Sequence, residues 1–219
     1  MLFFNTNLLI GFKFYMGLLS SSVSINRYHV DGKFTDSILE IVREGLIKYS
    51  FKEIDEESSD KISGWTSFNN HFNPDFSGSS FIIDDVFVFS FRIDKKTLSP
   101  KIIKKFYHIE MAKQLEKSEK DYLTANEKKQ IKEHVLNVLY LRIPATPNVF
   151  DVVWNFEKST LWFFSNNKAA NEELEIFFQK SFKFRLIKIF PFFEANLLLD
   201  LQETERDKLS GLSPSIFTE

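Results

Sequence analysis

The stretch VFVFSFRI at residues 86–93 constrains this chain more than any other. Six of its eight residues are Val, Phe or Ile, so both faces of an extended segment are apolar. Such a strand has to lie inside a sheet with material packed on it. The surrounding pattern supplies that material. VSINRYHV (23–30) alternates like a strand, and residues 35–49 place Ile38, Leu39, Val42, Leu46 and Ile47 at helical spacing. Residues 52–80 are acidic and then rich in Gly, Asn and Ser, and read as loop with short strand pieces. Two helices follow at about 99–118 and 125–141. NVFDVVWNFE and TLWFFSN form a hairpin turning at Lys158-Ser159, followed by a helix at 168–181 and a strand, KFRLIKIF, at 183–190. This order predicts an α+β fold, an antiparallel sheet with helices packed on one face.

A chain of 219 residues suits one domain or two small ones, and 43% hydrophobic with 26% charged residues is ordinary for a globular protein. Phe is unusual, at 26 against 3 Trp and 6 Tyr. The absence of Cys excludes disulfides, thiol catalysis and zinc–thiolate sites, and fits a reducing, cytoplasmic setting. The opening MLFFNTNLLIGFKFY is apolar but too short to span a bilayer, and Lys13 follows the apolar run where a signal peptide carries its charge before it. Met16 is therefore the expected start, with residues 1–15 a non-native or disordered extension. Residues 16–193 form the expected folded region, and residues 194–219 an acidic, mobile tail.

Charge is divided along the chain. Residues 31–85 sum to −7, residues 92–142 to +6, and residues 194–219 to −4, so a net charge of −2 conceals a basic middle. In SPKIIKKFYHIEMAKQLEK (99–117), Ser99 reads as an N-cap and Pro100 as the first helical residue, where its missing N–H costs nothing. At 100° per residue Ile102, Ile103, Phe106 and Ile109 share one face, while Lys101, Lys104, Lys105 and His108 form a narrow arc on the other. A solvated helix face usually alternates in sign, and no acid shares this arc. The second helix opens with a capping box, Thr124 to Glu127, buries Ile131, Val135, Val138 and Leu139, and leaves Lys129 and Lys132 on a flank. Lys95 and Lys96, at the end of the preceding strand, add to the same neighbourhood. Isolated ammonium groups suit phosphates held as point charges, which predicts salt-dependent binding without sequence preference.

The run TLSPKIIKKFYHIEMAKQLEKSEKDYLTANEKKQIKEHVLNVL, followed by VVWNFEKSTLWFFSNNKAANEELEIFFQKSF, resembles the bacterial recombination-associated RdgC family. The shared pattern is a Ser-Pro start to a lysine-bearing helix, a Glu-Lys helix ending in Val-Leu, a Trp strand, a hairpin and a KAANEEL-type helix. Gly64-Trp65 matches a family Gly-Trp, and the similarity covers roughly residues 17–192. The resemblance implies a non-catalytic DNA-binding homodimer, without cofactor, that closes around duplex DNA, associates with the nucleoid and restrains loading of the RecA recombinase. On it, Lys101, Lys104 and Lys105 are candidates for the phosphate-facing surface. Typical members are longer than this chain. Where they carry a Leu-Pro-Arg-Ala-Phe turn at a dimer contact, this chain reads LRIPATP (141–147), keeping Arg142 without a matching Phe.

Two rival readings stand beside this one. Asp75, Asp94 and Lys96 fit the Pro-Asp…Asp-x-Lys arrangement of magnesium-dependent nucleases, a short pattern that arises often by chance. A protein-interaction module could use the Phe-dense FFQKSFKFRLIKIFPFF (177–193). His29, His71, His108 and His134 lack metal-ligand spacing, and Ser20-Ser21-Ser22 lacks a nucleophile setting. Of the tryptophans, Trp154 and Trp162 are expected in the core, and Trp65 is the one expected to be open for a DNA or partner contact.

Overall fold

The computed structural model describes residues 17–32, 37–78, 80–118, 121–199 and 201–212. The expected extension 1–15, Met16 and the last seven residues of the tail lie outside them. Seven strands, β1 (Asn26–Asp31), β2 (Lys61–Thr66), β3 (Ile82–Ile83), β4 (Val86–Lys95), β5 (Thr146–Asn155), β6 (Thr160–Phe163) and β7 (Arg185–Lys188), build one sheet in the order β2-β4-β5-β6-β1-β7, with β3 beside β4. Every ladder is antiparallel. The α+β expectation holds. β4 and β5 are its spine, paired over ten residues from Val86–Asn155 to Lys95–Thr146.

The alternation of β4 decides what covers each face. Phe87, Phe89 and Phe91 point to one side, where helices α1 (Ile38–Lys48) and α4 (Lys168–Phe182) deliver Ile38, Val42, Leu46, Leu174, Phe178 and Phe182. At the centre lies Trp65 on β2, fully buried, with Phe89 and Phe91 both 5.1 Å away between centroids and Phe182 at 5.4 Å. Its Nε1 donates to Ser181 Oγ at 2.8 Å, so the one polar atom of the indole is satisfied inside the core. The expectation that Trp65 stands open is therefore corrected. Its Gly-Asn-Ser surroundings suggest a loop, but Trp65 sits in a strand directly opposite Phe91.

The helices are held close. A Cβ on Gly45 would lie 2.6 Å from the Phe182 ring, so α1 meets α4 only because this residue has no side chain. Further along α4, Glu173 accepts hydrogen bonds from Lys61 Nζ and Ser63 Oγ on β2, fastening the helix to the sheet edge. Two helices, α5 (Pro191–Leu198) and α6 (Glu203–Ser210), fall largely within residues 194–219, read from sequence as an acidic, mobile tail. α5 is joined to β1 by a bidentate Arg27–Glu194 pair. No helix among the described residues is long and apolar enough to cross a membrane.

Two measurements check this account. Trp65→Ala removes the centre of the aromatic cluster and should cost about 3–5 kcal/mol in chemical denaturation. At Glu173, burial pushes the carboxyl pKa up, but hydrogen bonds from Lys61 and Ser63 and the Lys61 charge outweigh it, leaving the pKa lowered. A lowered carboxylate pKa contributes stability above the unfolded value, lost as pH falls through the folded one. Glu173→Gln should thus cost about 0.5–1 kcal/mol at pH 7, discounted for a partly exposed pair, and progressively less below pH ~4.3.

Candidate nucleic-acid interface

Between β4 and β5 the chain leaves the sheet as two helices, α2 (Pro100–Ser118) and α3 (Ala125–Tyr140), which pack chiefly on each other. α2 starts as expected, with the Ser99 carbonyl accepting from the N–H groups of Ile102 and Ile103. The capping box of α3 is formed: Thr124 Oγ1 accepts from Glu127 N–H, and Glu127 Oε2 accepts from Thr124 N–H at 2.8 Å. The arm has its own small core, in which Leu123, Ile131, Val135 and Leu139 of its second half meet Leu98, Ile103, Phe106, Tyr107, Met111 and Leu115.

The buried face of α2 differs from the one expected. Ile103 and Phe106 face the seam, but Ile102 and Ile109 remain 44% and 40% exposed. The reason is continuity. A seam through 103, 107, 111 and 115 runs the length of the helix, whereas the stripe through Ile102 and Ile109 ends at charged Lys113 and Glu116.

Lys101, Lys104, Lys105 and His108 are exposed, and among the described residues none of them joins an ion pair. They occupy the first two turns of α2, a span of about 10 Å along the axis. Lys95, at the end of β4, and Arg142, just beyond α3, are exposed at this same base of the arm. Lys129 and Lys132 are also exposed but lie in the first half of α3, towards the far end, and Lys129 stands 3.9 Å from Glu133. Five of the eight expected basic residues therefore gather at the arm's base and two stand apart.

Lys96 is corrected. It is 1% exposed, and its ammonium donates to the backbone carbonyls of Asp55 (3.1 Å), Glu57 (2.7 Å) and Tyr140 (2.9 Å). All three protons are used, so none is left for a phosphate. A lysine inside a basic run carries no sequence mark of burial, and its partners are carbonyls that every residue owns. Asp55 also accepts from Ala145 N–H through Oδ1, binding the same loop to the strand that leaves the arm.

The nuclease constellation is dismantled by the same neighbourhood. Asp94 is 1% exposed and held by Arg92, with Nε on Oδ1 at 2.8 Å and Nη2 on Oδ2 at 2.6 Å. Arg92 also reaches Glu53 with two nitrogens and lies 3.9 Å from the centroid of Phe51. Burial acts to lower the Arg92 pKa, but hydrogen bonds to and the charges of Asp94 and Glu53 raise it overall. Asp75 is exposed and accepts from Ser77 N–H at 2.8 Å, which holds its carboxyl below the usual range. Asp94 and Lys96 are thus occupied in building the fold, and no group of three or more metal-ligating side chains occurs among the described residues.

The tryptophans divide differently from the expectation. Trp154 is fully buried as expected, but Trp162 is 44% exposed. In TLWF every central residue is large and apolar, so sequence does not tell the faces apart. The register sends Leu161 and Phe163 into the core and Trp162 to the opposite face, across from Arg27.

What remains at the arm's base is a set of flexible point cations that join no ion pair among the described residues, suited to a polyanion backbone. Lys96→Met should leave three carbonyls short of a donor and cost about 2–4 kcal/mol. Amide exchange in α2 and α3 should accelerate, whereas Lys101→Met at the exposed arc should stay within about 0.5 kcal/mol of wild type. No protein-family model matches the chain, and neither does any curated protein.

Proposed function

We propose that this protein binds DNA without sequence preference through the base of its helical arm, as a dimer, and restrains recombinase loading on the DNA it covers. The observation that carries the reading is the exposed arc of Lys101, Lys104, Lys105 and His108, with Lys95 and Arg142 at the same end of the arm. Lysines offer single charges to phosphates rather than the bidentate fork by which arginine reads a base edge, so the arc favours backbone contact. The resemblance to the RdgC family supports duplex DNA as the ligand, nucleoid association as the setting and recombination as the process.

A second reading rests on Ile102 and Ile109, which stand exposed on the same helix. A basic and apolar mixture also suits a protein partner carrying acidic and aliphatic side chains. Salt dependence separates the two.

The test is titration of a labelled mixed-sequence duplex with the full chain across a salt series. Log K should fall linearly with log salt at about 0.9 per phosphate neutralised. Lys101→Gln, Lys104→Gln and Lys105→Gln together should shrink the slope by about 2.7 while leaving the fold unchanged. No binding at low salt, or a triple variant with wild-type slope, overturns the reading.

A further inference from the structure

Asp151 on β5 is 6% exposed. Its carboxylate accepts from Ser90 Oγ at 2.7 Å and from the Leu18 backbone N–H at 2.8 Å. Among the described residues no Lys, Arg or His side chain pairs with it. The other three buried ions discussed above are matched, Arg92 by two carboxylates, Asp94 by Arg92 and Lys96 by three carbonyl dipoles. A buried carboxylate that has two neutral donors and, among the described residues, no cation is held less firmly than one that an ammonium also meets.

Gly17 is the second observation. It is buried, has φ +148°, and a Cβ there would lie 2.1 Å from Asp151 Oδ2. Its Cα, which carries the α-nitrogen, is therefore no more than about 3.6 Å from that oxygen. Only glycine fits the position, by backbone angle and by space. The residue before it is Met16, and Met-Gly is a junction from which an initiating methionine is removed. A cavity of about 200 Å³ lined by Gly17, Val23, Phe150 and Phe164 leaves room beside it.

We propose that the mature protein carries a free α-amino group on Gly17 and that this ammonium is the counterion of Asp151. Hydrolysis of the Met16–Gly17 bond places the hydroxyl of water on the Met16 carbonyl carbon. The bonding pair goes to nitrogen, which takes up protons, since an α-amine has a pKa of about 7.7–8.0. A neutral amide with one proton becomes a cation with three, adjacent to the Leu18 N–H already seated on the same carboxylate. A peptidase makes the cut: an aminopeptidase acting on a chain initiated at Met16, or an endopeptidase acting on the longer one. The proposal is independent of the DNA reading.

Intact-mass measurement and N-terminal sequencing of protein purified from cells carrying the reading frame with its own upstream sequence should find Gly17 first. A chain retaining Met16 or any earlier residue overturns the proposal. Pulse labelling distinguishes the routes, since only endoproteolysis passes through a precursor that carries residues before Met16. The ion pair is tested separately: Asp151→Asn should lower the Tm of the Gly17 form by several degrees more than that of the uncut chain. Equal losses overturn the pairing. Should Asp151→Asn not fold, acetylating the Gly17 amine of the wild type makes the same comparison, with a lower Tm expected and an unchanged Tm overturning it.

Discussion

The orientation of the arm rests on one buried ammonium. Lys96 leaves the end of β4 and gathers carbonyls from two places in the acidic loop and one at the end of α3. A lysine taken out of water is tolerated only when its protons are all received, and three carbonyls receive them. Sheet, loop and arm are thereby referred to a single point. The division of charge along the chain becomes an adjacency in space, since the loop bearing Glu53, Asp55 and Glu57 lies against the base of the basic arm.

The two faces of the sheet are closed by different physics. On one, aromatic side chains from five strands meet two helices, and burial of large apolar area supplies the stability. On the other, β4 places Ser90, Arg92 and Asp94 among loops, and charged groups are kept by pairing. Arg92 shows how: its guanidinium carbon lies 3.9 Å from the ring centroid of Phe51 and 4.9 Å from that of Phe72 while its nitrogens serve two carboxylates. Stacking uses the apolar faces of the ion and hydrogen bonding its polar rim. This face combines buried charged groups with a second apolar cluster of Val88, Val153 and Phe164.

Local signals in the sequence were readable where local physics decides. The Ser-Pro start of α2, the Thr124–Glu127 box and the turn at Lys158-Ser159 depend on neighbours a few residues apart, and each is found in place. The faces of elements were less legible. Ile102 competes with Ile103 for the seam of α2, and the outcome depends on how far each stripe continues against a partner helix. Trp162 competes with Leu161 and Phe163, and only strand register settles which faces inward. Lys96 was illegible for a further reason: its partners are backbone groups brought near by the fold, and no residue type announces them. Trp65 was misplaced because a Gly- and Ser-rich context usually marks loop, whereas here it marks an edge strand whose glycine lets the chain at Phe51 approach.

The insertion of the arm within the β4–β5 ladder bears on how the molecule assembles. Closing that ladder joins Lys95 to Thr146 across some fifty intervening residues, a separation that slows strand pairing. A helical hairpin with its own core is held by contacts close in sequence and can form in microseconds to milliseconds. Once it has formed, its two ends emerge side by side, and the strands face a short effective loop. The entropy saved by this shortening is on the order of 1–2 kcal/mol. The arm that presents the lysines is thus also a folding clamp, setting the register of the longest strand pair from outside the sheet.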